Sequence, residues 1–254
     1  MVKCAIGLDF GTSSIKGMVL TEKEEVVLKD GISIEYGTDT HPDGATYISL
    51  DPRMVYDRMC QLIKRFLAQL PADHKVVAMS FACASGNTLL CDKNGEPLMN
   101  AYSWLNSSYK EESLPILGPI DKEASRAISG WGFGGTFPMG HLSHLKLHNP
   151  ELYAKAGKVC MVGEYINHRL TGKWGLDRST ATPFFFAEQE TGKYHKEYQS
   201  CPEKHAAEMP IEVTLCLSNI VFRYGYEKTY SAFGIIAFIS AIVDVIQSAV
   251  KSFG

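Results

Sequence analysis

The chain has 254 residues, 45% hydrophobic and 21% charged, and this composition excludes a protein that is disordered throughout. Its formal net charge is −3, from 25 basic and 28 acidic residues. No basic stretch could supply a row of phosphate contacts, which argues against a nucleic-acid partner. The length suits one large domain or two small ones with a sizeable buried core.

The seven cysteines are scattered, form no CxxC pair and are odd in number. Structural zinc sites built on cysteine generally use such pairs, so this pattern argues against one. The N-terminus leads directly into a strand-like run and has no secretion signal. Together these features predict reduced thiols and a cytoplasmic protein.

The beginning of the chain is predicted to form three strands. An apolar run at Val2–Leu8 is followed by Asp9–Ser14, which is rich in turn formers. Strand-like patterns return at Ile15–Leu20 and Glu25–Ile34. Two strands joined by a tight turn indicate a β-hairpin at the start of the chain.

A long amphipathic helix is predicted next. Asp51 suits the N-cap position, Pro52 suits the first helical position, and Pro71 ends the pattern. Polar residues fill one face, and apolar residues recur on the other with helical spacing at Val55, Met59, Leu62, Ile63, Phe66 and Leu70.

The middle of the chain mixes strand and helix patterns. Strands are predicted at Val76–Ala82 and Thr88–Cys91, and helices at Leu142–Leu147 and Tyr165–Leu170. The intervening Leu117–Gly140 is rich in Gly and Pro and is predicted to be irregular. The resulting order, β-β-β-α-β-β followed by helices, predicts a mixed α/β domain.

The character of the sequence changes after about Gln199. Ile211–Phe222 is apolar and rich in β-branched residues, and Ala232–Val250 is almost continuously apolar. This segment fits poorly onto the preceding pattern. We therefore predict a domain over residues 1–199 and an atypical apolar tail over residues 200–254.

The tail contains a segment, Ser231–Ala249, whose 19 residues reach the minimum length of a membrane-spanning helix. Asp244 would cost about 2.5–3.5 kcal/mol near the centre of a span. We therefore expect the tail to be buried or poorly folded rather than inserted in a membrane.

The most informative motif is Gly7–Lys16, GLDFGTSSIK. A glycine at position 11 permits a turn that a Cβ would obstruct, and backbone N–H groups and hydroxyls of residues 11–13 can face phosphate oxygens. Asp9 at a strand end can hold Mg²⁺, and Lys16 can neutralise phosphate charge. The alternative is a hairpin in which Asp9 and Thr12 only satisfy turn hydrogen bonds.

This motif resembles the first phosphate-binding signature of FGGY-family carbohydrate kinases, the group that contains xylulokinase, glycerol kinase and gluconokinase. The resemblance covers roughly residues 3–198. Further segments match the family in the same order: Leu50–Pro52, Gly86–Leu90 with Asp92 and Gly95, Trp104, Asn149–Tyr153, Glu164–Gly172 and Asp177–Thr182.

The resemblance implies a ribonuclease-H-like (actin-like ATPase) α/β domain, one of the two lobes of such a kinase. It implies transfer of the γ-phosphate of ATP to a sugar or polyol hydroxyl, with ATP and Mg²⁺ as cofactors. Asp9 would act catalytically on Mg²⁺ and phosphate. The phosphate cradle would comprise Gly11, Thr12, Ser13 and Lys16. The sugar side would be lined by Ser85, Trp104, Asn106, Glu164 and Tyr165.

The chain departs from the family at sugar-contacting positions. The Q-M-H-G of xylulokinase becomes Cys83–Gly86, and its W-x-D-x-R becomes Trp104–Ser108, in which Asn106 replaces the Asp. Because a site built for one set of hydroxyls rejects another, xylulose is not a safe prediction for the substrate. Ser85 and Asn106 still offer hydrogen bonds to a polyol, and the alternative for Asn106 is a turn residue.

A larger departure concerns the general base. In the family it is an Asp in a G-D-x-x-A-like motif, and the corresponding window, Cys201–Thr229, has no Gly-Asp pair. The resemblance therefore implies a truncated form that lacks the catalytic Asp and the ATP lobe and is inactive alone. Two alternatives stay open: a non-catalytic sugar-binding or homodimerising fragment, and a tail-anchored membrane-associated regulator.

Two other patterns have structural explanations. Gly130–Gly135 matches GxGxxG, but a helix-like stretch precedes it, which argues against a dinucleotide site; Trp131 or Phe133 could instead stack on a sugar. The three histidines at 141, 144 and 148 share one helix face, but no acidic residue at helical spacing completes a metal site. Buried structural histidines are the alternative.

Overall fold

The computed structural model describes residues 1–106, 123, 126–127, 130, 138–175, 188, 190–191 and 220–221. The chain divides into two compact units, each built on a five-stranded sheet. Unit 1 comprises Met1–Glu35, Arg53–Ala84 and Leu217–Gly254, and unit 2 comprises Tyr36–Pro52 and Ser85–Cys216.

The sheet of unit 1 is formed by β1 (Val2–Phe10), β2 (Ser14–Thr21), β3 (Val26–Ser33), β6 (His74–Cys83) and β10 (Ile220–Val221). Its order is β10-β6-β1-β2-β3. Strand β1 pairs antiparallel with β2 and parallel with β6, and β10 pairs antiparallel with β6. Because β1 is central and its residues 4–8 are buried, it reads in the sequence as a continuous apolar run.

Helix α1 (Pro52–Gln69) buries its apolar face in unit 1 through Val55, Met59, Leu62 and Phe66. Gly17 on β2 makes this packing close. A Cβ at that position would lie 2.8 Å from both Leu8 Cδ2 and Phe66 Cε2. The helix therefore seats directly on the β1–β2 hairpin.

The sheet of unit 2 is formed by β4 (Gly37–Thr40), β5 (Thr46–Leu50), β7 (Thr88–Cys91), β8 (Ala101–Tyr102) and β9 (Lys158–Met161). Its order is β4-β5-β8-β7-β9, and all pairs are antiparallel. Three helices follow β8 in the described part of this unit: α2 (Pro138–His148), α3 (Pro150–Lys155) and α4 (Val162–Thr171).

Local sequence signals set the ends of these helices. The Asn149 side chain accepts the N–H of Leu152 at the start of α3, where Pro150 occupies the first turn. Helix α4 ends at Gly172, whose φ of 73° is the left-handed conformation that glycine adopts most easily.

The predicted mixed α/β class is confirmed, and so are the first three strands, α1, β6 and β7. The prediction misses β4, β5, β8, α3 and β9. It is wrong in making residues 138–140 irregular, because α2 begins at Pro138, a residue suited to the first helical turn.

The predicted division into residues 1–199 and 200–254 stays a prediction, since only residues 220–221 of the tail are described. Within the described residues no helix is both long and apolar enough to cross a membrane. The Ser231–Ala249 segment lies outside those residues, as do Trp131, Phe133 and the Asp177–Thr182 motif.

Candidate functional site

The turn that joins β1 to β2 is held by backbone hydrogen bonds on both sides. Within it, the N–H of Gly11 donates to the carbonyl of Ser14 over 3.0 Å. On one side the N–H of Ile34 donates to the carbonyl of Ser13, also over 3.0 Å. On the other, the N–H of Ala84 donates to the carbonyl of Phe10 over 2.8 Å. These hydrogen bonds fix the turn to the neighbouring chain segments at the end of strands β1 and β2.

Asp9 and Lys16 are cross-strand partners directly behind this turn. The Asp9 side chain is half-buried, and burial raises its pKa, while the nearby positive charge of Lys16 lowers it. A carboxylate held beside a cation near the end of a strand can position a hydrated cation or a phosphate group.

The structure brings the five predicted phosphate-side residues together at one end of the β1–β2 hairpin. The structure does not support one predicted phosphate contact, that of the Gly11 N–H, because this group already donates to the Ser14 carbonyl inside the turn. Thr12 and Ser13 are exposed at the tip, where their hydroxyl groups are accessible. Their predicted contact with phosphate stays a prediction.

On the predicted sugar side, residues 103–106 form a hydrogen-bonded turn after β8. The N–H of Asn106 donates to the carbonyl of Ser103 over 3.1 Å, and the N–H of Leu105 donates to Ser103 Oγ over 3.0 Å. The N–H of Trp104 donates to Oδ1 of the buried Asn87 over 3.1 Å. The turn exposes 38% of Trp104 and 41% of Leu105.

Asn106 is buried, and its amide group is committed to the backbone. Its Oδ1 accepts the N–H of Ile48 over 2.7 Å. Its Nδ2 donates to the carbonyl of Ile48 over 2.7 Å and to that of Ser103 over 2.9 Å. Both amide hydrogens are therefore used, which agrees with the alternative of a turn residue better than with a sugar contact.

Ser85 is exposed in the segment between β6 and β7. The next residue, Gly86, has a φ of 93°, and its N–H points at Met161 Sδ over 3.3 Å. Met161 is the residue before α4. The loop that carries Ser85 thus adjoins the start of this helix and, through Asn87, the Trp104 turn.

The two predicted site residues on α4 have structural partners. Oε2 of Glu164 accepts the N–H of Met161 over 2.6 Å and so caps the helix N-terminus. Tyr165 is only 1% exposed and belongs to the core of unit 2. Their predicted contact with a sugar stays a prediction, which this placement does not support for Tyr165.

The histidines of α2 belong to a ring cluster that sequence reasoning identified only in part. His144 and His148 have ring centroids 4.1 Å apart, and both lie against His41, at 5.5 and 5.9 Å. His41 also hydrogen-bonds the hydroxyl of Tyr102. Within the described residues no group of three His, Cys, Asp or Glu side chains is placed to hold a metal ion.

Burial explains the titration behaviour of this cluster. His141 hydrogen-bonds Thr88 Oγ1 over 2.7 Å, and its pKa falls to about 3 because it is buried and lies near His144. Burial also lowers the pKa of His41, with further contributions from His144 and His148. The lowered pKa values make His41 and His141 neutral packing groups at physiological pH.

Comparison with known proteins identifies the family of the sequence. The sequence matches the FGGY family of carbohydrate kinases, N-terminal domain, over residues 4–236. It is 25% identical over 182 residues to a gluconokinase from Bacillus licheniformis, covering 72% of this chain and 34% of the relative. It is 25% identical over 176 residues to a xylulose kinase from Staphylococcus xylosus, covering 69% and 35%.

Solved structures of similar proteins share the fold. A gluconate kinase from Lactobacillus acidophilus matches with a TM-score of 0.68 and 21% identity over 78% of this chain and 39% of that one. A xylulose kinase from Rhodospirillum rubrum also matches with a TM-score of 0.68 and 21% identity, over 82% and 42%. The chain therefore spans well under half of each relative, and it belongs to the FGGY family of carbohydrate kinases through their N-terminal domain.

Proposed function

We propose that this chain supplies the sugar-binding half of an ATP-dependent kinase that transfers the γ-phosphate of ATP to a sugar or polyol hydroxyl. The observation that carries the proposal is the half-buried Asp9, paired across the strands with Lys16 behind the fixed β1–β2 turn. Phosphoryl transfer depends chiefly on positioning and electrostatics, and this arrangement suits both. Membership of the family supports the reaction class.

The proposal includes a ribonuclease-H-like fold for unit 1. It is supported by an antiparallel β1-β2-β3 meander, followed through α1 by a parallel β6 beside β1. In this arrangement the Asp9 strand is central, so its carboxylate is held by two neighbouring strands. Such rigid support suits a group that must orient a charged ligand.

The residues of the turn fit Mg²⁺ together with phosphate. Mg²⁺ is commonly held by one or two carboxylates, with substrate phosphates and water supplying the other ligands. Asp9 would hold the ion, which would supply neutralisation of phosphate charge. Lys16 would contribute a second positive charge, and the hydroxyls of Thr12 and Ser13 would donate to phosphate oxygens.

On the sugar side, we assign contact to Ser85 and Trp104, which are exposed within unit 2. We leave out Asn106 and Tyr165, because the first uses its amide on the backbone and the second is in the core. We keep Glu164, whose Oε2 caps α4, on the sugar side of the proposed site. A pairing of one aromatic side chain with a few polar groups is typical of small-molecule sites.

We further propose that these 254 residues bind the sugar without turning over ATP. The sequence contains no Gly-Asp pair in Cys201–Thr229, where the family's general base is expected. The proposed compartment is the cytoplasm. It is supported by the five described cysteines, none of which is in a disulfide, as expected in a reducing environment.

The test is calorimetric titration of the chain with D-gluconate, D-xylulose and glycerol, alongside a coupled assay for ADP. We expect at least one compound to bind, with no ADP formed. Trp104→Ala should weaken that binding at least tenfold, or about 1.4 kcal/mol. The matched control is Leu147→Ala, which truncates a comparably exposed apolar side chain of unit 2 on α2.

Three results would count against the proposal. Absence of binding by all three compounds contradicts the sugar-binding role. An equal loss of affinity in the Trp104 and Leu147 variants contradicts the assigned site. Formation of ADP by the chain alone contradicts the assignment of a half-enzyme and shows a complete catalytic site.

A further inference from the structure

The turn at residues 103–106 presents two large apolar side chains outward. Trp104 is 38% exposed and Leu105 is 41% exposed, whereas the flanking Ser103 and Asn106 are buried. Exposed apolar surface forgoes the free energy that burial would give. Binding a ligand with an apolar face against these two side chains would recover part of it.

The first anchor of this turn is Asn87. It lies between β6 and β7, is 2% exposed, and its Oδ1 accepts the backbone N–H of Trp104 over 3.1 Å. Because this hydrogen bond is made by the backbone of Trp104, it fixes the position of the Trp104 Cα and does not contact the indole ring.

The second anchor is Asn106, which ties the turn to β5. Its side chain makes three hydrogen bonds, two with the backbone of Ile48 and one with the carbonyl of Ser103. Two of these use the amide N–H groups as donors. An ionised Asp at this position would face both carbonyl oxygens with a negative charge, so only an amide satisfies the arrangement.

We propose that Asn87 and Asn106 are positioning residues that hold Trp104 as a preformed platform for the apolar face of a sugar. The inference rests on the proposed function. Fixing the backbone of the turn before binding removes part of the ordering cost that a ligand would otherwise meet. Asn106 thus acts on the substrate through Trp104 and makes no contact of its own.

The proposal explains why an Asn at this position differs in consequence from an Asp. An Asp that contacted a sugar would leave the turn without the two side-chain donors to the carbonyls of Ile48 and Ser103, which would keep only their backbone donors. Sugar preference in this chain is then set by Trp104 and Ser85, while position 106 sets the rigidity of the platform. The two roles are separable by experiment.

The experiment uses the full chain in a Trp131→Phe and Trp174→Phe background, which leaves Trp104 as the only indole of the three. Time-resolved fluorescence anisotropy reports its local rotation, and titration with D-gluconate, D-xylulose or glycerol reports affinity. Asn87→Ala and Asn106→Asp should each increase local rotation and weaken sugar binding about three- to tenfold.

A pH signature separates the Asn106 anchor from general loss of structure. Protonation of the carboxyl in Asn106→Asp restores one donor, so lowering the pH should recover part of the rigidity and affinity. Asn106→Ala has no such group and should not recover. The matched control is Asn100→Ala, which removes an amide hydrogen bond to Asp39 Oδ2 of 3.0 Å and should leave Trp104 unchanged.

Unchanged anisotropy in both the Asn87 and Asn106 variants overturns the anchoring role. Increased rotation with unchanged sugar affinity overturns the role of the platform in binding. If none of the three compounds binds the parent chain, the sugar platform fails together with the proposed function. In that case the anisotropy results still decide whether the two asparagines anchor the turn.

Discussion

The β1–β2 turn of unit 1 and the 103–106 turn of unit 2 are both short, hydrogen-bonded and partly exposed, but they are held in different ways. Each contains a closing backbone hydrogen bond, from the Gly11 N–H to the Ser14 carbonyl and from the Asn106 N–H to the Ser103 carbonyl. The first is otherwise held by the backbone of Ile34 and Ala84, whereas the second is also tied down by side chains, those of Asn87 and of Asn106, which bonds Ile48 58 residues away. A short turn can be predicted from its own residues, but the side chains that anchor it to distant residues cannot.

Their exposed chemistry differs in the same way. The first turn offers the hydroxyls of Thr12 and Ser13 beside the charged pair Asp9 and Lys16, which suits a phosphate. The second offers the indole of Trp104 and the side chain of Leu105, which suits an apolar face of a ligand. Because only the 103–106 turn is anchored by buried side chains, substitutions in the two turns should have unequal effects on the free energy of unfolding.

The largest effect is expected at Asn106. Asn106→Ala removes three hydrogen bonds: the Ile48 N–H loses its acceptor Asn106 Oδ1, while the carbonyls of Ile48 and Ser103 keep the backbone N–H groups of Ser103 and Asn106. At about 1–3 kcal/mol for a polar group that loses its partner and about 0.5–1.5 kcal/mol for each of the other two hydrogen bonds, we expect a loss of roughly 3 kcal/mol in the free energy of unfolding. Urea unfolding followed by circular dichroism measures it.

The control for this prediction is Thr12→Ala at the exposed tip of the β1–β2 turn, which should change the free energy of unfolding by no more than about 0.5 kcal/mol. Equal losses in the two variants would remove the proposed difference between the turns. A loss at Asn106 below about 1 kcal/mol would show that water replaces its hydrogen bonds.

The same contrast explains what the sequence could predict. The β1–β2 hairpin and α1 follow from local patterns, since turn formers, apolar alternation and an Asp-Pro start lie within a few residues of one another. Strands β4 and β8 were missed because the first is polar and the second has only two residues. Neither carries a periodic signal, and both are defined by pairing with β5.

Site residues divide in the same manner. Asp9, Gly11 and Lys16 were found together because they are neighbours in the sequence. A turn role for Asn106 was one of the two alternatives from the sequence, but its bonds to Ile48 could not be predicted, because Ile48 lies 58 residues away and no local pattern connects the two. The contact between the rings of His41 and His148 could not be predicted either, since no sequence spacing connects the two residues.

An intermediate effect is expected from pH, and it should be specific to unit 2. Burial lowers the pKa of His41 and His141 below the ordinary value of 6.5, in the second case to about 3. Below pH 6.5 the unfolded chain therefore binds protons at these two histidines that the folded chain does not bind. The contribution of the neutral histidines to the free energy of unfolding should be fully present above pH 6.5 and should fall as the pH drops below it.

The other charged groups of the cluster do not cancel this trend. Asp39 and Asp43 raise the pKa of His41, but less than burial and the neighbouring histidines lower it. The pKa of Asp43 is itself lowered by its hydrogen bond to His148, so its contribution is lost only at more acidic pH. Burial raises the pKa of Tyr47, which stays neutral throughout.

Urea unfolding at pH 8 and at pH 5 tests this prediction, and we expect a difference of about 2 kcal/mol. The double variant His41→Gln, His141→Asn keeps polar atoms near the original ring nitrogens but cannot be protonated, and it should lose most of the difference. His74→Gln removes a partly buried histidine of unit 1 that contacts Asp73, and it should retain the difference. A pH dependence that survives in the double variant would place its origin elsewhere.

The smallest effect is expected at Asp9, with the opposite sign. Because burial raises its pKa, the ionised carboxylate is disfavoured in the folded chain, and this cost is present at neutral pH and disappears on acidification through the ordinary value of 3.8. Asp9→Asn should therefore stabilise the ligand-free chain at pH 7 by up to about 1 kcal/mol.

The matched control is Asp30→Asn, which breaks a 2.9 Å ion pair with Arg65 at the surface of the same unit. It should lose about 0.2–1 kcal/mol, since exposed ion pairs contribute little. Urea midpoints of the two variants should thus move in opposite directions. If Asp9→Asn lowers the midpoint, the carboxylate stabilises the fold and is not a group held at a cost for binding. If it raises the midpoint, the fold holds the Asp9 carboxylate at a net cost despite the nearby charge of Lys16, in contrast to the Trp104 turn, whose anchors stabilise the fold itself.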